Sequence, residues 1–127
     1  MKRQLSDTEY WTIARLTYWH LDRSRWGEAE KLARGLLALC PRDGLGWLYY
    51  AEARRHQRDM AEACRAYGEA AKALGDRADV WVRLAMALIH LQRFDEAGRA
   101  LELARSHCTS EGLGRRIRGI ESALRRR

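Results

Sequence analysis

Apolar residues along this chain recur at spacings of three and four, and the whole pattern returns at an offset of 34 residues. Ile13, Trp47 and Trp81 fall in one column, and Leu16, Tyr50 and Leu84 in the next. Trp26, Met60 and Phe94 make a third column, Glu28-Ala29, Glu62-Ala63 and Glu96-Ala97 a fourth, and Leu36, Ala70 and Ala104 close the series. Spacings of three and four place residues on one face of an α-helix. Each 34-residue unit holds two such patterns, the best defined lying between Gly44 and Gly75. A unit of this kind cannot bury its apolar face alone, so its copies must stack on one another. The pattern predicts a stacked helix-hairpin solenoid.

The boundaries follow from capping chemistry. Ser6 and Glu9 have the spacing of a capping box ahead of a helix from about Asp7 to Asp22. Trp11, Ile13, Ala14, Leu16, Tyr18 and Leu21 spread around more than one face of that helix, which predicts partners on two sides. Asp22 to Arg25 makes a turn, and a second helix runs from about Trp26 to Cys40, stopped by Pro41. Asp43 is the expected N-cap of a third, reaching His56. A fourth ends near Leu74, with Gly75 placed for a left-handed C-cap. Asp76 or Asp79 is expected to cap a fifth, to about Leu91. A sixth spans about Phe94 to His107, and Thr109 or Ser110 caps a seventh that ends near Arg126. In this last helix Leu113, Ile117, Ile120 and Leu124 form one stripe and arginines take the other side, which suits the open end of a solenoid. Trp47 and Trp81 read as core residues, and Ala29, Ala63 and Ala97 as small slots that admit a neighbouring helix.

The columns resemble the tetratricopeptide repeat: an aromatic early in the first helix (A) of each hairpin, a small residue mid-helix, aromatic-x-Glu-Ala opening the second (B), and proline at the boundary. The resemblance covers roughly residues 10 to 111. It implies an all-α fold, a right-handed α-solenoid of three hairpins with a C-terminal capping helix, about seven helices in a single domain. The repeats fall at about 10–43, 44–77 and 78–111, with the cap at about 110–126.

The resemblance also implies where a partner would bind, because in such repeats the A helices line the concave face. Carried over by column, the groove is lined by Trp11, Ala14, Tyr18 and Leu21 from the first A helix. The second supplies Leu45, Leu48, Glu52, Arg55 and His56, and the third Val82, Met86, Ile89 and His90. One known mode grips a C-terminal carboxylate with lysines and asparagines on the A helices. The matching places here hold Ala14, Tyr18, Tyr49 and Arg83, so that clamp is missing. The chain is similar instead to the small tetratricopeptide chaperones of bacterial type III secretion, in the opening from Leu5 through the first helix and in the stretch AEKLARGLLALCPRD. That similarity implies an apolar groove holding an extended or amphipathic segment of an export substrate. Covering of the same patch by the C-terminal helix, or by a second copy, stands as the alternative. A generic adaptor of the same fold would need no more than this surface.

Composition narrows the setting. The 127 residues are 46% hydrophobic, with no apolar run long enough to span a membrane and no apolar segment after Lys2 and Arg3 to make a secretory signal. Three cysteines without paired spacing do not make a disulfide framework, and a cytoplasmic site is the default. The net charge of +7 is uneven: residues 115 to 127 hold six arginines and one glutamate, leaving the remainder close to balance. Such a tail can meet nucleic-acid phosphates through salt-sensitive contacts, but a solvated capping face explains it more simply.

No catalytic constellation is visible: no glycine-rich phosphate loop, no HExxH and no CxxC. His56 and His90 lie one repeat apart, roughly 10 Å in a solenoid, too far to share a metal. The expected activity is therefore protein binding, with no enzyme chemistry, cofactor or metal. Tyr10 and Trp19, outside the expected groove, are candidates to seat a second copy or a small helper subunit.

Overall fold

A computed structural model describes residues 5–127, and among them every regular element is a helix. In order these are α1 (Asp7–Asp22), α2 (Trp26–Leu39), α3 (Gly44–His56), α4 (Met60–Ala73), α5 (Ala78–His90), α6 (Phe94–His107) and α7 (Glu111–Arg125). Consecutive helices pack against each other along the chain, and α1 also meets α3. The A helices α1, α3 and α5 therefore share one side of the stack, with α2, α4 and α6 behind them.

The core is built from the small columns. Ala29, Ala63 and Ala97 are each fully buried, as are Leu36, Ala70 and Ala104. Tyr67 is the largest sealed side chain. Trp47 and Trp81 pack against this core at its edge, where each indole still needs a partner for its N–H. Trp47 Nε1 donates to the Pro41 carbonyl and Trp81 Nε1 to the Gly75 carbonyl, both at 2.9 Å, so the column is equivalent down to its hydrogen bond. At the far end α7 lays Ile117, fully buried, with Leu113, Ile120 and Leu124 against the core.

The caps at Ser6, Asp43 and Ser110 form as the sequence predicts: Ser6 and Glu9 make the reciprocal pair, Asp43 accepts from Gly46 N, and Ser110 from Leu113 N. Two expectations fail. Arg77, not Asp76 or Asp79, stands at the N-cap of α5 without a side-chain cap, and Asp79 in the first turn pairs with Arg77 at 2.8 Å. Gly75 takes no left-handed conformation, because α4 closes through Leu74 N to the Ala70 carbonyl. The left-handed residues are Ser24 (φ 59°), Arg58 (φ 66°) and Gln92 (φ 61°), one in each A-to-B turn and 34 positions apart. A tight link between two antiparallel helices forces that geometry even where no glycine is present.

The first helix meets α2 and α3, yet Trp11 (50%), Leu16 (44%), Tyr18 (59%) and Trp19 (41%) stay exposed. The contrast within one column gives the reason: Tyr50 is 5% exposed with the preceding α2 packed against its helix, while Leu16 lies on α1, before which the described residues hold no hairpin.

Candidate functional site

The A-helix side holds two hollows. The upstream one, about 340 Å³, is walled by Tyr18 and Leu21 of α1, Leu45, Leu48 and Tyr49 of α3, and Trp26 at the start of α2. Asp22, Glu52, His56, Arg77 and Arg83 complete its rim. The downstream hollow, about 290 Å³, lies among Met60, Tyr67, Met86, Ala87 and His90, with Arg55, Arg83 and Arg116. Arg116 comes from α7, so the C-terminal helix contributes a wall and does not fill the space. Along the outside of α1, Trp11, Ala14 and Trp19 line a third depression that shares Tyr18 and Tyr49 with the upstream hollow. Tyr18 and Tyr49 face each other with ring centroids 6.4 Å apart, bridging α1 and α3.

Between the two main hollows runs a crossbar of charge. The Glu52 carboxylate accepts from the Tyr67 hydroxyl at 2.7 Å, from Arg55 Nη2 at 2.9 Å and from Arg83 Nη1 at 2.6 Å. Burial would push the Glu52 pKa up, but the hydrogen bonds from Tyr67 and Arg55 and the charges of both arginines outweigh it and hold the group below the usual carboxylate range. Burial, then the Glu52 charge beside it, drives the Tyr67 phenol well above its ordinary value. The same group sits upstream of a neutral imidazole. Arg55 Nη2 lies 3.0 Å from His56 Nε2, and since a guanidinium only donates, that ring nitrogen accepts. Burial, then the Arg55 charge, keeps His56 below its ordinary pKa.

The thirteen residues expected to line a groove thus divide. Tyr18, Leu21, Leu45, Leu48, Glu52 and His56 meet in the upstream hollow, and Arg55, Met86 and His90 in the downstream one. Trp11 and Ala14 fall in the depression along α1. Val82, 2% exposed, is sealed in the core, and Ile89 packs against that core, so neither side chain forms a wall of either hollow. Both sit at the flank of α5 that turns toward its neighbours, one position off the column that holds Arg83, Met86 and His90. Column matching missed Trp26, Tyr49, Tyr67, Arg83 and Arg116. Tyr49 could have been found from Tyr18, its partner across the A helices. The reach of Tyr67 from a B helix to the A-helix side, and of Arg116 from α7, leaves no trace in the repeat.

Tyr10 is engaged inside the protein, its hydroxyl donating to Asp43 Oδ1 at 2.7 Å. Trp19 carries Arg23 over its ring at 4.0 Å. Among the described residues no group of three or more His, Cys, Asp or Glu is arranged to hold a metal ion, and no helix is long and apolar enough to cross a membrane.

Against solved structures, the chain matches the type III secretion translocator chaperone SycD of Yersinia enterocolitica with a TM-score of 0.89 and 17% identity, over 96% of this chain and 87% of that one. It matches PcrH, in complex with the chaperone-binding region of PopD, with a TM-score of 0.87 and 20% identity, over 98% and 96% of the two chains. The first tetratricopeptide domain of Spaghetti (RPAP3), bound to an HSP90 peptide, matches with a TM-score of 0.80 and 16% identity, over 95% and 97%. No protein-family model matches the chain, and no curated protein does. At these identities the likeness establishes the fold, an all-α solenoid of the tetratricopeptide type.

Proposed function

We propose that this chain is a peptide-binding chaperone of the type III secretion kind, which holds an extended or amphipathic segment of an export substrate along its A-helix side. The observation that carries the reading is the open upstream hollow, walled by Tyr18, Leu21, Leu45 and Leu48 and left unfilled by the C-terminal helix. An apolar recess flanked by exposed aromatics suits a side chain delivered by another polypeptide. SycD has been solved with a peptide of the translocator YopD, and PcrH with the chaperone-binding regions of PopD and PopB, which supports the choice of partner class. The reading is one of binding without catalysis, in a cytoplasmic setting. It takes Trp11, Ala14, Tyr18, Leu21, Leu45, Leu48, Met86 and His90 as contacts, with Glu52, Arg55 and His56 between them.

Co-purification from the native host with mass spectrometry identifies the bound protein. Tyr18→Glu and Met86→Glu then each abolish that complex while far-UV helicity stays intact. Unchanged affinity in both variants moves the binding site off this face.

A second reading rests on the exposed Trp11, Leu16 and Trp19, which suit a second copy on the outside of α1. Sedimentation of the wild type beside Trp19→Ala decides it, since a monomer in both cases rejects self-association through that surface.

A further inference from the structure

We infer that the segment bound on the A-helix side carries an acidic side chain between two apolar anchors, and that Arg83 receives it. The inference rests on the peptide-binding reading above and concerns what the groove selects.

Arg83 is the residue that the two hollows share together, lining the upstream and the downstream one alike. A chain that places an apolar residue in each must pass over it. The two hollows are bordered by four arginines (Arg55, Arg77, Arg83 and Arg116) against two carboxylates, Asp22 and Glu52. Arg77 is neutralised from outside the hollows by Asp79. The crossbar itself is unbalanced, because Glu52 faces both Arg55 and Arg83 and leaves one positive charge over.

Exposure shows which member has capacity left. The Glu52 side chain is only 16% exposed and already accepts from three donors, while the Arg83 side chain is 46% exposed and gives Glu52 a single nitrogen. Glu52 thus acts as a positioning residue that fixes one edge of the guanidinium and turns the other toward the groove. A planar guanidinium held at one edge is suited to a carboxylate arriving at the other. An internal acidic side chain fits better than a chain terminus, because a ligand ending at Arg83 would leave one hollow empty. The groove therefore reads charge as well as apolar content, and its register is set at the midpoint.

The test uses acetylated, amidated twelve-residue synthetic peptides with leucine or phenylalanine at two positions, their spacing varied, and glutamate, glutamine or lysine midway between them. Binding is read by fluorescence polarisation at low and at physiological salt. Glutamate-centred members bind roughly tenfold tighter than their glutamine counterparts, and lysine-centred ones weakest. In Arg83→Gln the ratio of glutamate-centred to glutamine-centred affinity falls to about one, and Arg83→Lys restores part of it. A peptide ending in a free carboxylate at the midpoint, without the second anchor, binds more weakly than the full-length glutamate form. Equal affinity for glutamate and glutamine, with binding still lost in Tyr18→Glu, overturns the inference and leaves the groove reading intact. A preference that survives Arg83→Gln also overturns it. No saturable binding by any member overturns both.

Discussion

The Trp26 indole lies flat on the His56 imidazole, ring centroids 3.9 Å apart and planes 4° from parallel. The pair joins the start of α2 to the end of α3 and forms one end of the upstream hollow. One repeat on, Met60 and His90 hold the same positions and flank the downstream hollow. After a further repeat Phe94 and Leu124 of α7 hold the corresponding positions, and Arg127 lies over the Phe94 ring, 4.1 Å from the centroid. His56 is held neutral by burial and by Arg55, so its folded pKa lies below the value of 6.5 it takes without the fold. A depressed value means the unfolded chain binds the proton more readily. Stability from this residue is then complete above about pH 6.5 and is lost as the pH falls toward the folded value. Thermal melts of the wild type and His56→Gln at pH 7.5 and 5.0 show the wild type losing more Tm on acidification. The difference is small because the ring is largely open to solvent. Equal losses in both proteins detach His56 from the acid response.

Ser24, Arg58 and Gln92 each carry a side chain in left-handed backbone, where a Cβ crowds the following carbonyl. Glycine removes that conflict, at the expense of a more flexible unfolded chain. Arg58→Gly is expected to raise stability by about 0.5–1 kcal/mol, read from urea unfolding, and Arg58→Val to lower it by at least as much. Ser24→Gly and Gln92→Gly should behave alike, since all three turns have one geometry.

The fold was legible because each column states one physical demand three times. Ala29, Ala63 and Ala97 all vanish from the surface, and the two repeat tryptophans both find a carbonyl six residues back. The exceptions lie where the repeat stops or where one element reaches across another. Leu16 sits in a core column yet is exposed, because among the described residues no hairpin precedes α1 to cover it. Val82 was assigned to the groove by column, but a shift of one position on α5 turns it into the core and brings Arg83 to the front. The left-handed turn column leaves no mark in the residue pattern because serine, arginine and glutamine share no chemistry there. What they share is a backbone angle, and the sequence does not spell it.

Ala63 is fully buried against the neighbouring A helices, so its size sets how closely α4 approaches. Ala63→Leu adds three carbons to a site without free volume. The expected loss is about 1–3 kcal/mol in urea unfolding, with helicity preserved below the transition. Gly68 on the same helix meets nothing within 4 Å when given a Cβ, so Gly68→Ala is the matched control and should stabilise slightly. If both substitutions have equal effect, the small column does not determine the spacing.

Tyr67 tests whether the crossbar contributes through charge or only through packing. Its hydroxyl donates to Glu52 and receives Arg55 Nε at 3.1 Å, and no solvent reaches the ring. Tyr67→Phe keeps the ring and removes one of the three donors on Glu52, leaving that carboxylate to the two arginines. The expected cost at pH 7 is about 1–2 kcal/mol. Glu52 is held below its ordinary value of 4.5, so the stability it supplies is present above that pH and is lost as the pH falls through the folded value. Removing the Tyr67 hydroxyl raises the folded value toward the ordinary one, which shrinks the part that acid can take away. The gap between wild type and Tyr67→Phe should therefore be widest near neutrality and narrow at pH 3.5 in urea unfolding. A gap of constant size across that range assigns the loss to packing around the ring. In that case the position of Arg83 owes nothing to the hydroxyl beneath it, and Tyr67→Phe should leave the preference for an acidic peptide unchanged.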